Sequence, residues 1–225
     1  MIITIDGPTA SGKSTAAKAL AKRLGYYHLN SGLLYRALAY LLTQAAGYTE
    51  TELQQPHPTD ITCFLDPDRF QISFEPDGMH ILFEGTDITH FLKDKMFDTY
   101  SSILATNLDV REALRALQDA LGQKFDLVVD GRDTGSVVFP DAQKKFYLTA
   151  SPEVRAKRWQ HVQERLGNTV ALDKAIETIK SRDERDKNRK IAPLVVPEDA
   201  ITIDNSGLSI DQTIDQMLAH LKDLK

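Results

Sequence analysis

Five short apolar runs punctuate the chain: Ile2–Ile5, Tyr26–Leu29, Phe125–Val129, Phe146–Thr149 and Ala200–Ile203. Each is rich in β-branched or aromatic residues and too short for a helix, so each predicts a strand. Between them apolar positions recur at helical spacing. Ala17, Leu20, Ala21 and Leu24 share one face, with Lys18, Lys22 and Arg23 opposite. Val110, Ala113, Leu114, Leu117 and Leu121 repeat the pattern. So do Ile210, Ile214, Met217, Leu218 and Leu221, behind a capping box of Ser209 and Gln212. Strands alternating with helices predict an α/β fold with a mostly parallel sheet covered on both faces.

One region breaks this rhythm. From Ile61 to Thr89 the helical period vanishes, and "FQISFE" and "HILFEG" alternate apolar with polar residues around Pro76-Asp77-Gly78. That is hairpin chemistry and predicts a small antiparallel insert, with "QQPHPTD" before it as an entry loop.

At roughly 150 residues per domain, a chain of 225 residues is one domain with an insertion, or two small ones. The formal net charge of -5 argues against a protein that coats nucleic acid. Cys63 is the only cysteine, which excludes an internal disulfide or a cysteine zinc site. The N-terminal residues carry neither a basic segment nor a long apolar one, and no apolar run is long enough to span a membrane. The expected address is the cytoplasm, and the expected state a monomer with small-molecule partners, no nucleic acid and no membrane.

The strongest chemical signal is "GPTASGKST", Gly7 to Thr15, which fits G-x-x-x-x-G-K-[ST]. It lies between a predicted strand and a predicted helix, the context in which backbone N–H groups curl around phosphates. Gly7, Pro8, Thr9, Ala10, Ser11, Gly12, Lys13, Ser14 and Thr15 are therefore candidate ATP-binding residues. Lys13 would reach the β- and γ-phosphates and Ser14 would ligate Mg²⁺.

Three further stretches decide what is done with the nucleotide. "HLNSGLLYR" opens a helix at Asn30 or Ser31 and sets Tyr35 and Arg36 one turn in, where an arginine can fork onto phosphate. His28, just before it, reads as a core histidine. "LVVDGRDTG" ends an apolar run in two carboxylates straddling a guanidinium. Asp130 there is placed to hold a magnesium shell through water, Arg132 to bind phosphate, and Asp133 to accept from an amine. The plainer reading is a self-contained ion cluster holding a turn. "SRDERDKNRK" repeats arginine at Arg182, Arg185 and Arg189 with Asp186 among them. A charge run is most often a solvated face, but phosphoryl transfer needs cations around the moving group. "SPEVRAKRW" starts another helix, with Ser151 as cap and Pro152 at its first position. Arg155 and Arg158 point to one side of it, as in a lid over a triphosphate.

In this order and spacing, "GPTASGKST", "SGLLYR", "VREAL", "DGRDTGSVVFPDA" and "RDERDKNRKIAPL" resemble the bacterial cytidylate kinases, across nearly the whole chain. The resemblance implies a P-loop kinase fold: a five-stranded mostly parallel sheet flanked by helices, with a helical lid. It also implies a small antiparallel β insert in the monophosphate-binding subdomain. The implied division is a single domain, 1–225, with its core in 1–35, 105–153 and 195–225. The insert would cover about 36–104 and the basic lid about 154–190.

The implied activity is transfer of the ATP γ-phosphate to CMP or dCMP, with Mg²⁺ as cofactor and ATP as co-substrate. Lys13, Arg132 and Arg182 would surround the transferring group, with Asp130 on the metal side and Arg155 and Arg158 over ATP. Ser31, Tyr35, Arg36 and Arg132 would hold the acceptor's phosphate, Arg182 and Asp186 its sugar, and Arg189 would reach phosphate. Ser102, Arg111 and Asp133 would read the base. Cytosine offers an amine donor and ring acceptors, which calls for one carboxylate and one cationic donor. One departure stands out: Asn30 stands where the family usually has Asp before Ser-Gly. The alternatives are another small-molecule P-loop kinase with a different acceptor, and a GTPase-type switch. No N-K-x-D guanine-reading motif supports the latter.

Overall fold

A computed structural model describes residues 1–165 and 167–222. In chain order the elements are β1 (Ile2–Asp6), α1 (Lys13–Leu24), β2 (Tyr27–Asn30), α2 (Ser31–Gln44), α3 (Pro58–Phe64), β3 (Phe70–Glu75), β4 (Gly78–Phe83) and β5 (Thr86–Asp87). There follow α4 (Met96–Leu104), α5 (Leu108–Lys124), β6 (Leu127–Asp130), β7 (Lys144–Thr149), α6 (Pro152–Arg165), α7 (Leu172–Asn188), β8 (Ile201–Asp204) and α8 (Ile210–Ala219). The strand order of the larger sheet is β2-β6-β1-β7-β8 and that of the smaller is β3-β4-β5. The expected α/β architecture, a five-stranded sheet with a small antiparallel one, is what the chain forms.

The chain divides into two compact units. One comprises Met1–Tyr26 with the described residues from Asp126 onward, and the other Tyr27–Phe125. The insert expected over about 36–104 falls inside the second and the lid range inside the first. Residues 166 and 223–225 of the expected ranges lie outside the described residues.

In the first unit β1 pairs in parallel with β6 on one side and β7 on the other, and β7 with β8. Helices cover both faces of such a strand, so β1 and β6 are apolar almost throughout rather than alternating. Ile3, Ile5, Val128, Phe146, Leu148 and Ile203 meet α1 and α8 in one core. Ala16, Ala17 and Ala21 let α1 approach the strands closely, and Ile214 and Met217 bring in α8. The capping box at Ser209 and Gln212 forms as its sequence predicts. A smaller cluster of Ala156, Ala175 and Ile179, with Trp159 against it, joins α6 to α7.

In the second unit the hairpin forms in the expected place, with Phe70 opposite Phe83 and Glu75 opposite Gly78. Tyr27 stacks on Phe74 at 4.9 Å, and Phe125 meets both edge-on. Asn30, not Ser31, caps α2, its Oδ1 accepting from Leu33 N at 2.9 Å.

Two local expectations are corrected. The presumed entry loop and the start of the non-helical stretch carry α3, with His57 as cap and Pro58 at the first helical position. Proline there lacks only an N–H that no helix would use, so it starts a helix rather than breaking a loop. His28 is half-buried in β2 rather than a core residue. No helix among the described residues is long and apolar enough to cross a membrane.

Candidate active site

The loop between β1 and α1 turns on residues that tolerate unusual backbone. A Cβ on Gly7 would lie 2.1 Å from the Leu148 carbonyl oxygen, so only glycine fits beside β7. Ala10 and Gly12 take left-handed φ values of 57° and 88°. Such alternation turns successive N–H groups into a shared anion-binding concavity. Lys13 is buried, and its Nζ donates to the Pro8 carbonyl at 3.1 Å. Burial first, then the Arg132 and Arg182 charges, push its pKa well below the usual lysine value, with Asp130 opposing. A polyanion in this loop would push that pKa back up.

The three charges of the "DGRD" stretch go to different partners. Asp130, buried at the end of β6, accepts from the Ser14 hydroxyl at 2.5 Å. Arg132 donates from Nε to Asp186 Oδ2 at 2.8 Å and from Nη2 to Thr9 Oγ1 at 3.4 Å. Asp133 Oδ1 accepts from Arg189 Nη2 at 2.6 Å. Burial alone would raise the Asp186 pKa, but Arg132, Arg182 and Arg189 together hold it below the usual carboxylate value. The α7 charge run is thus sorted by depth: Asp183 and Asp186 are buried, Arg182 and Arg189 half-buried, and Arg185 exposed.

Beyond Asp133 the chain makes one π-helical turn, Thr134–Val138, closed by Phe139 N donating to Thr134 O at 2.7 Å. Asp6, the last residue of β1, anchors that turn. Its Oδ1 accepts from Thr134 N at 2.9 Å and from Thr134 Oγ1 at 2.8 Å, and its Oδ2 accepts from Gly135 N at 2.7 Å. Even with three donors, burial dominates and raises its pKa to about 6.

Arg155 and Arg158 lie one turn apart on α6, and both reach the phosphate-binding loop. Arg155 Nη1 donates to Thr9 O at 3.0 Å and pairs with Asp183, whose Oδ1 accepts from Thr9 N at 2.7 Å. Arg158 Nη1 donates to Ser11 O at 3.2 Å. Neither stands free as a lid arginine: their N–H groups meet the loop's own carbonyls.

In the second unit Ser31 and Tyr35 are buried in α2 and Ser102 is half-buried in α4. Arg36 pairs with Asp98 and donates to Leu92 O at 3.3 Å. Arg111 Nη1 donates to Ala105 O at 3.3 Å, and its guanidinium lies 6.0 Å from the centre of the Tyr35 ring. The structure therefore gathers Ser31, Tyr35, Arg36 and Arg111 around α2 in this unit. Around the loop of the other unit it gathers Lys13, Ser14, Asp130, Arg132, Asp133, Asp186 and Arg189. Asp6, Asp98 and Asn205 take part in these networks without any local motif to mark them, and Asp183 does so from within the "RDERD" string, where the sequence assigns it no role.

The residues also fit a magnesium ion held chiefly by substrate. The Ser14 hydroxyl and Asp130 carboxylate are hard oxygen donors side by side, and no group of three or more His, Cys, Asp or Glu is placed for a metal among the described residues. Mg²⁺ keeps water and phosphate ligands and needs only one or two protein oxygens.

Comparison with known proteins gives the family and the fold. A solved structure of an uncharacterised protein from Eubacterium ventriosum shares the fold, with TM-score 0.53 at 16% identity over 99% of this chain and 98% of that one. A cytidylate kinase of Shewanella loihica is 39% identical over 99% of this chain and 94% of its own length. One of Shewanella amazonensis is 40% identical with the same coverage, and one of Pseudomonas savastanoi 39% identical over 98% and 94%. The family model described as cytidylate kinase matches residues 3–223. With a match of that extent, the chain belongs to the cytidylate kinase family.

Proposed function

We propose that this enzyme transfers the γ-phosphoryl group of ATP to CMP and dCMP, giving ADP with CDP or dCDP. The observation that carries the reading is the "DGRD" stretch. Its carboxylate meets the P-loop serine, its arginine meets both the loop and α7, and its second carboxylate meets Arg189.

An acceptor phosphate oxygen is already anionic, so no general base is needed and transfer is direct and in line. Catalysis is then positioning plus charge neutralisation. Lys13, Arg132 and Arg182 neutralise charge around the moving phosphoryl group. Gly7 to Thr15 hold the ATP phosphates, with Arg155 and Arg158 at the loop's outer side. Ser14, and Asp130 through water, would hold Mg²⁺, which would supply charge neutralisation to the triphosphate. On the acceptor side, Arg132, Arg182, Asp186 and Arg189 suit phosphate and sugar, and Asp133 suits the cytosine amine. Ser31, Tyr35, Arg36, Ser102 and Arg111 are further candidates for holding CMP.

Following ADP release with CMP, dCMP, UMP and AMP in parallel tests the reading. CMP and dCMP should be preferred, with UMP weaker because its O4 would face the Asp133 carboxylate. A preference for AMP would refute the base-reading residues.

A further inference from the structure

The phosphate-binding loop is gripped from outside. Arg155 donates to Thr9 O at 3.0 Å, and Arg158 Nη1 and Asn205 Nδ2 converge on Ser11 O at 3.2 and 3.0 Å. In a trans peptide the carbonyl and the next N–H point in opposite directions. A donor on Thr9 O therefore turns the Ala10 N–H away from itself, and donors on Ser11 O do the same to Gly12 N–H. Those are the two left-handed positions of the loop.

The framing residues are tied to one another as well. Asp183 takes the Thr9 N–H and opposes the Arg155 charge, and Arg155 Nε donates to Ala150 O at 3.1 Å. Arg158 also donates to Asn205 Oδ1 at 3.0 Å and to Asn205 O at 3.1 Å. Arg155, Asp183 and Asn205 are 9%, 5% and 3% exposed, so these contacts are little screened by salt.

We propose that Arg155, Arg158, Asp183 and Asn205 are positioning residues for the donor nucleotide. They form a frame that holds the loop's carbonyls outward and its N–H groups toward the triphosphate. This deepens the reading of the loop as the ATP site and rests on it. A lid arginine touching phosphate would act through its own charge. A frame acts through hydrogen bonds to the loop, so uncharged Asn205 matters as much as Arg158.

The test measures ATP and inorganic tripolyphosphate binding by titration calorimetry, with KM for ATP and CMP, for wild type, Asn205→Ala, Arg158→Lys and Arg158→Ala. All are compared well below each variant's melting temperature. Loss of the outer hydrogen bonds should weaken ATP and tripolyphosphate about tenfold in Asn205→Ala and Arg158→Lys. KM for CMP should stay within about twofold, because Arg158 and Asn205 meet the donor loop at Ser11 rather than the acceptor residues. The salt dependence of ATP binding should stay at the wild-type slope in Arg158→Ala.

Wild-type ATP affinity in Asn205→Ala, with a shallower salt slope in Arg158→Ala, would overturn the frame in favour of direct phosphate contact. A drop in melting temperature with equal losses for ATP and CMP would overturn it in favour of a purely structural role. Should Asn205→Ala not fold, Arg158→Lys carries the same comparison with the charge retained. Failure of the wild type to bind ATP would sink the functional reading itself, a different outcome from wild-type binding that the frame variants leave unchanged.

Discussion

Replacing Asp6 by asparagine separates burial from charge at the root of the phosphate-binding loop. The carboxylate's pKa is raised from 3.8 to about 6 because burial outweighs three hydrogen bonds. That is a shift of roughly 2 units at 1.36 kcal/mol each, or about 3 kcal/mol. A raised carboxylate pKa means the folded state holds the proton more tightly than the unfolded one. The contribution is therefore fully present below pH 3.8 and is lost as pH rises through about 6. The amide of the Asp6→Asn variant does not titrate.

The stability difference between the two proteins should thus move by about 3 kcal/mol in favour of the variant between pH 4 and pH 7, then level off. Its absolute level is offset by the variant's lost acceptor: an amide can accept on one oxygen only, so either Gly135 N or the Thr134 pair loses its partner, at about 1–2 kcal/mol. Urea unfolding at half-unit pH steps reads the difference directly. Other shifted groups, such as Asp186 held low by its arginines, are common to both proteins and cancel. A difference that stays flat across the range, or drifts toward the wild type with rising pH, refutes the reasoning.

Lys13→Ala should fold, since it removes a buried amine whose ionised form burial already disfavours, yet lose about 10²–10³ in turnover with CMP; near-normal steady-state rates would contradict its placement. Asp133→Ala should lower discrimination between CMP and UMP about ten- to a hundredfold, whereas a turn-holding cluster would lose stability and keep selectivity. Gly135→Ala puts a Cβ 2.6 Å from Thr4 Oγ1 and 3.3 Å from Asp6 Oδ2. Such overpacking costs about 1–3 kcal/mol, and denaturant midpoints would show it. Asn30→Asp should keep its cap on Leu33 N and change stability by less than about 0.5 kcal/mol. Half-maximal activity should then come at lower Mg²⁺, measured by magnesium titration.

Much of this molecule could be read from its residues. The five sheet strands fall within about two residues of their apolar runs, and the signal is strongest at β6, where Leu127, Val128 and Val129 are all buried. The hairpin at Pro76-Asp77-Gly78 and the box at Ser209 and Gln212 have local signatures, and both formed. What escaped has no local cause. The partners of Asp6 lie 128 and 129 residues away. In the "SRDERD" run nothing separates buried Asp183 from exposed Arg185 except the Ala175 and Ile179 face that packs on α6. Helical spacing put Arg155 and Arg158 on one side of their helix, but which side of the loop they reach is a tertiary fact. The helix α4 and the short strand β5 were missed for want of a sustained period.

The first unit is assembled from two separate stretches of the chain, and this has a consequence for synthesis. The loop that grips phosphate leaves the ribosome well before its neighbours do. β1 gains β6 only after residue 130 and β7 only after residue 149. The outer grip on Ser11 waits for Asn205. Tyr27–Phe125, being contiguous, is complete long before. A growing chain therefore carries an unfinished nucleotide loop until β7 and Asn205 have been made. A truncation just before β8, which also removes Asn205, would leave the loop with its sequence intact and its backing gone.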